Sequence, residues 1–151
     1  MGHLSINELL LKANVFSKTG KVDEAKNVYQ KILNSDPANL KAKEGIISLN
    51  LSIINKLNNI GHSLYNQEKL DEAIEVFNKV IFYKPNSAEA YYNIATILIK
   101  KNKLEASINA NKKAIFYDPE LIQAHFNMGI ALQDLGKLNE AVEAYKKAIS
   151  L

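Results

Sequence analysis

An all-α fold of stacked helical hairpins is the class this sequence predicts, and three observations predict it. The chain repeats itself at an interval of 34 residues: Leu57, Ile60, Gly61, Leu64, Ala73, Phe77, Val80 and Pro85 return as Tyr91, Ile94, Ala95, Leu98, Ser107, Asn111, Ala114 and Pro119, and then as His125, Met128, Gly129, Leu132, Ala141, Tyr145 and Ala148. A further copy opens the chain with Leu9, Ala13, Phe16, Ala25, Tyr29, Ile32 and Pro37. Each copy holds two short stretches whose apolar residues recur at three- and four-residue steps, the spacing of one helix face. Neither stretch can hide that face alone, so repeats of this length must stack on one another.

The elements follow in order. Residues 6–39 form the first repeat, with Lys12 at a normally apolar position, as suits an end repeat with one wet face. Its second helix opens at Asp23-Glu24, and the same place in later copies reads Asp71-Glu72 and Asn139-Glu140. Such side chains are expected to cap free backbone amides and to complement the positive helix end. The period then breaks, because Pro37 and Pro85 lie 48 residues apart, whereas Pro85 and Pro119 lie 34 apart. Residues 40–53 therefore amount to a first helix without its second, fused to the next helix. Ala42, Ile46, Leu49, Ile53, Leu57, Ile60 and Leu64 keep the helical spacing across the join, so residues 40–66 are expected to be one helix, about 40 Å long at 1.5 Å per residue. Gly45, Gly61, Ser52, Asn55, Asn58 and Asn59 weaken it, and a bend near 52–55 is the alternative.

Three full-length copies follow the half repeat, at 54–87, 88–121 and 122–151, the last truncated. In the middle one the spacing predicts helices over Ala88–Lys100 and Leu104–Tyr117, broken at Asn102-Lys103 and ended by Asp118-Pro119. Asn111 stands where the other copies place Tyr29, Phe77 and Tyr145, so packing is expected to be weakest there. Restoring an aromatic at that position is expected to gain about 1 kcal/mol. The last helix, Leu138–Leu151, is expected to expose Val142 and Ile149 where a following repeat would dock, and the chain reads as a piece of a larger protein.

Composition narrows the function classes. The 151 residues are 47% apolar, long enough to bury a core, and 19 basic against 16 acidic residues leave a net charge of only +3. With no basic block, nucleic acid and membrane are not expected as partners. No stretch reaches a membrane span, and Met1-Gly2-His3 reads as a cloning remnant. The absence of cysteine suits a reducing compartment, and a cytoplasmic location is expected. The histidines, His3, His62 and His125, have no partners at triad or ligand spacing, and no phosphate loop is written, so no catalytic residue, metal or cofactor is expected.

The run from Ala124 to Ile149 resembles the tetratricopeptide repeat nearly position for position: a large residue, Leu and Gly/Ala, a bulky residue, Ala, an aromatic and Ala at fixed offsets. The resemblance covers about residues 6–39 and 54–151. It implies a right-handed superhelix whose concave groove is lined by the first helix of each repeat, in a protein that binds peptides or proteins and does no chemistry itself. On that family geometry the sixth position of each repeat faces the groove, and here it is Asn59, Asn93 and Asn127. An amide both donates and accepts, so such a row can bond the backbone of an extended peptide whatever its side chains. The row is similar to that of the peptide O-linked N-acetylglucosamine transferases. The same transfer adds Asn55, Asn58, His62 and Asn66, then Glu89, Tyr92, Thr96 and Lys100, then Gln123, Phe126, Ile130 and Asp134. Lys100 is the one basic group among them, which argues against a clamp on a terminal carboxylate.

The expected function is a non-catalytic protein–protein interaction module. Two alternatives stand beside it: a structural, self-assembling repeat segment acting as oligomer or spacer, and a regulatory arm of a transferase-type enzyme. The apolar flanks of the long helix also offer a surface for a homodimer.

Overall fold

Two helices and a tight reverse turn recur along the chain. A computed structural model describes residues 4–151, and Met1, Gly2 and His3, with the remnant reading placed on them, lie outside the described residues. Among the described residues there are eight helices and no strand: α1 (Ile6–Lys18), α2 (Val22–Ser35), α3 (Leu40–Asn66), α4 (Leu70–Tyr83), α5 (Ala88–Lys100), α6 (Leu104–Tyr117), α7 (Ile122–Asp134) and α8 (Leu138–Ser150). The chain divides into two compact units, one ending at Asn55 and one running Lys56–Leu151. The division falls within α3, and each part of that helix is described with its own unit.

In the first unit α1 packs on α2, and the core joins Leu10, Ala13, Ala25, Val28, Tyr29 and Ile32 to Ala42 and Leu49. Ser5 starts α1 with a reciprocal capping box, its side chain accepting from the Glu8 amide while Glu8 accepts from the Ser5 amide. Lys12 is exposed, its ammonium 5.7 Å from the centre of the Phe16 ring. In the second unit α4 packs on α5, α5 on α6, α6 on α7 and α7 on α8. Leu104 and Ile108 of α6 meet Ala131 and Leu132 of α7 and Ala141 and Ala144 of α8.

The caps correct one expectation. Helices α2, α4, α6 and α8 start after Lys21, Lys69, Lys103 and Lys137, and none of these starts carries a side-chain cap. Asp23, Glu24, Asp71, Glu72 and Glu140 instead sit in the first turns, where a negative charge complements the helix dipole without capping the helix start.

The reverse turns share one device. Gly20, Glu68, Asn102 and Gly136 all hold positive φ, at 76°, 61°, 55° and 76°. The next residue's amide reaches back to close the preceding helix: Lys21 to the Phe16 carbonyl at 2.9 Å, Lys69 to Leu64 at 3.0 Å, Lys103 to Leu98 at 2.8 Å and Lys137 to Leu132 at 2.9 Å. This is the Schellman closure, and it needs a residue that tolerates the left-handed region. A β-carbon at Gly136 meets nothing within 4 Å, so the cost of adding one is conformational alone. Gly136→Ala is expected to lower unfolding stability by about 1 kcal/mol in a denaturant titration, with the helical circular dichroism unchanged.

Within the hairpins of the second unit, rings lie against glycine. A β-carbon at Gly61 would stand 2.7 Å from the Phe77 ring, and one at Gly129 would stand 2.5 Å from the Tyr145 ring. In the middle hairpin the equivalent positions hold Ala95 and Asn111, both wholly buried. Ser107 fills in, its hydroxyl donating to the Ala95 carbonyl at 2.9 Å and accepting from the Asn111 amide at 3.4 Å. The Asn111 carbonyl oxygen is buried with no hydrogen-bond partner among the described residues. Because Asn111 is wholly buried, a larger ring there has to displace packed neighbours, which works against the gain expected from an aromatic. Asn111→Phe is expected to cost about 1–3 kcal/mol as a single change. In the Ala95→Gly background it is expected to be favourable, so thermal melts of the four proteins in a double-mutant cycle should give a stabilising coupling of about 1 kcal/mol or more.

Candidate functional site

One face of α5 carries Glu89, Tyr92, Asn93, Thr96 and Lys100, set on one side by three- and four-residue spacing. Asn93 is 9% exposed, and its amide nitrogen is buried without a hydrogen-bond partner among the described residues. It lines a cavity of about 240 Å³ with His62, Tyr65, Phe77, Tyr92, Thr96 and Ile97. His62 stands edge-on to the Phe77 ring, with centroids 5.4 Å apart. A buried donor left unpaired carries a desolvation cost that a ligand oxygen would remove.

Asn127 on α7 is half-buried and already engaged. Its amide donates to the Thr96 hydroxyl at 2.7 Å, and that hydroxyl donates on to the Tyr92 carbonyl at 3.0 Å. The chain of bonds fixes the Asn127 amide beside the cavity wall. Asn59 is exposed, so the three asparagines of one repeat position occupy three different environments.

Charge is paired around the site. Lys100 bonds Glu68 at 2.5 Å and lies 5.1 Å from the centre of the Tyr65 ring, and the hydrogen bond to Glu68 holds its ammonium above the usual lysine range. Lys101 bonds Asp71 at 2.5 Å, which holds that carboxyl below the usual aspartate range. Both pairs join one reverse turn to the next hairpin. Among the other sequence-predicted residues, Asn55, His62, Asn66, Glu89, Gln123, Phe126 and Asp134 are exposed, and Asn58 and Ile130 are half-buried. Phe126 leans on Tyr145, with centroids 5.5 Å apart.

The sequence reading missed two things. Tyr65, Phe77 and Ile97 build the cavity wall although their spacing marks them only as packing residues. In the first unit a second cavity, about 520 Å³, is lined by Asn7, Leu10, Leu11, Asn14, Tyr29 and Gly45 among others. Moving Asn55, Asn58, Asn59 and His62 back by the 48-residue interval lands on Asn7, Leu10, Leu11 and Asn14, so the signal was present in the first copy. Among the described residues, no helix is long and apolar enough to cross a membrane, and no cluster of three or more His, Cys, Asp or Glu could hold a metal.

A TPR-repeat family model matches residues 61–101 and 95–136, and tetratricopeptide-repeat models match 9–39 and 122–151. The chain belongs to the tetratricopeptide-repeat family. No curated protein matches it significantly. Among solved structures it is similar to the second TPR of Spaghetti (RPAP3) bound to the HSP90 peptide SRMEEVD, 26% identical with a TM-score of 0.63, over 65% of this chain and 91% of that one. It shares its fold with MamA from Desulfovibrio magneticus RS-1, 23% identical with a TM-score of 0.59, over 97% of this chain and 75% of the other. The Arabidopsis OM64 TPR domain is 20% identical with a TM-score of 0.65, over 68% of this chain and 84% of its own.

The Thr96 hydroxyl links α5 to α7 in this repeat array, and its loss leaves the Asn127 amide unpaired. Thr96→Val is expected to lower stability by about 1 kcal/mol, measured by chemical denaturation, and Thr96→Ser to recover most of it.

Proposed function

We propose that this chain is a non-catalytic interaction module that binds an extended peptide of a partner protein along the face carrying Asn93 and Asn127, reading the peptide backbone through asparagine amides. The observation that carries the reading is Asn93, a buried amide without a partner, opening on an aromatic-walled cavity. A peptide carbonyl would satisfy its donor, and the rings of His62, Tyr65, Phe77 and Tyr92 offer apolar walls to an adjoining side chain. Asn59 and Asn127 extend the row, and Asn58, Asn66, Glu89, Gln123, Phe126, Ile130 and Asp134 flank it in this reading. The peptide-bound RPAP3 repeat supports peptide capture as a use of this fold. Lys100, the single basic group of the set, is already paired with Glu68, which favours backbone recognition over a grip on a terminal carboxylate.

The test is to select linear peptides from a random displayed library on the whole chain and titrate the synthetic products by calorimetry. Asn93→Ala is expected to weaken binding by roughly tenfold or more while the melting temperature holds, because the deleted amide makes no internal bond. Amidating the peptide C-terminus is expected to leave the affinity unchanged. Peptides that bind Asn59→Ala/Asn93→Ala/Asn127→Ala as well as the parent would refute the reading.

A further inference from the structure

The opposite side of the second unit, formed by α4, α6 and α8, carries a device of its own. Helix α5 packs directly on α7, whereas no comparable packing joins α6 to α8 or α4 to α6. The gaps are grooves. The first, about 290 Å³, is floored by Tyr91 and Ile94 of α5 and walled by Ala110 and Lys113 of α6. The second, about 520 Å³, is floored by His125 and Met128 of α7 and walled by Ala144 and Lys147 of α8. Every residue lining the first has its counterpart 34 positions later lining the second, so the two are one socket written twice.

Beside each socket stands an exposed ring. Phe82, 80% exposed, lies one helical turn beyond Asn78 on the α4 rim of the first groove. Phe116, 78% exposed, lies one turn beyond Lys112 on the α6 rim of the second. Each is held edge-on against the neighbouring tyrosine, Phe82 on Tyr83 and Phe116 on Tyr117. Stacking of the repeats does not require an aromatic there, because the equivalent residues of the first and last copies are Asn34 and Ser150. Two exposed knobs and two apolar sockets thus share one interval, set by the same repeat.

We propose that this face is a self-association surface, on which a second copy of the chain packs about a two-fold axis with Phe82 and Phe116 of each copy seated in the sockets of the other. A two-fold arrangement sets the first groove of one copy against the second groove of the other. The rim of the first groove offers Asn78, Asn109 and Lys113, and that of the second carries the carboxylates Glu140 and Glu143 beside Lys112 and Lys147, so the proposed register sets Lys113 of one copy against Glu143 of the other. Buried phenylalanine in a matched pocket is the kind of anchor that dominates such interfaces. This surface is separate from the Asn93 face, so peptide binding does not depend on it.

Sedimentation velocity of the whole chain over roughly two decades of concentration is the test. The parent is expected to show a monomer–dimer equilibrium. Phe82→Ser/Phe116→Ser, which installs the residue type of the last repeat, is expected to weaken it by roughly tenfold or more while leaving the dilute-solution melting temperature in place. Lys113→Glu is expected to weaken it as well, and Glu143→Lys in the same chain to restore it, a readout of register that a folding defect would not give. A chain that stays monomeric throughout overturns the proposal, and so does a dimer that the serine variants leave intact, such as one held through the long helix.

Discussion

In two hairpins of the second unit a ring sits where the neighbouring helix would otherwise place a β-carbon, and the closeness of those helices depends on that contact. Gly61 admits Phe77, Gly129 admits Tyr145, and in the middle hairpin the pair becomes Ala95 and Asn111. Close packing leaves no room to change one member alone, since interiors fill at crystal-like density. In the polar version the Ser107 hydroxyl donates to the Ala95 carbonyl and accepts from the Asn111 amide. It is a compromise, as the unpaired Asn111 oxygen shows.

Fixing the helices within each hairpin also fixes what is left open between hairpins. Helices α5 and α7 meet directly, so their shared face is continuous and can align Thr96 with Asn127. Helices α4, α6 and α8 have no comparable backbone packing on one another, so the other face is ridged. The two sides therefore have different chemistry from the same repeat: amides and hydroxyls on one, apolar floors with charged rims on the other. Asn93 fits this division. Its unpaired amide borders the cavity lined by His62, Tyr65 and Tyr92.

Much of the helical framework was legible beforehand. The predicted ranges Ala88–Lys100 and Leu104–Tyr117 coincide with α5 and α6, because apolar spacing and Asp118-Pro119 act locally. The turns were less readable. Gly20, Asn102 and Gly136 are residue types that tolerate the left-handed region, but Glu68 adopts the same conformation without any such mark, with the Lys69 amide closing the turn. The acidic pairs at helix starts were legible as charges, yet their geometry as first-turn residues rather than caps was not. The column of asparagines could be read by counting, while Asn7 and Asn14 went unread because the broken period hid the first copy's equivalents.

The sequence by itself determined the interval, the helical class and the identity of the residues at each repeat position, because apolar spacing and proline placement are properties of the chain. Tertiary structure alone decided that Asn93 is buried and unpaired, that Asn127 is tied to Thr96 and that Asn59 is exposed. It alone decided, too, that Asn111 is wholly buried beside Ser107. Hydrogen bonding is set by groups 12 to 31 residues away, brought within bonding distance only when the helices pack.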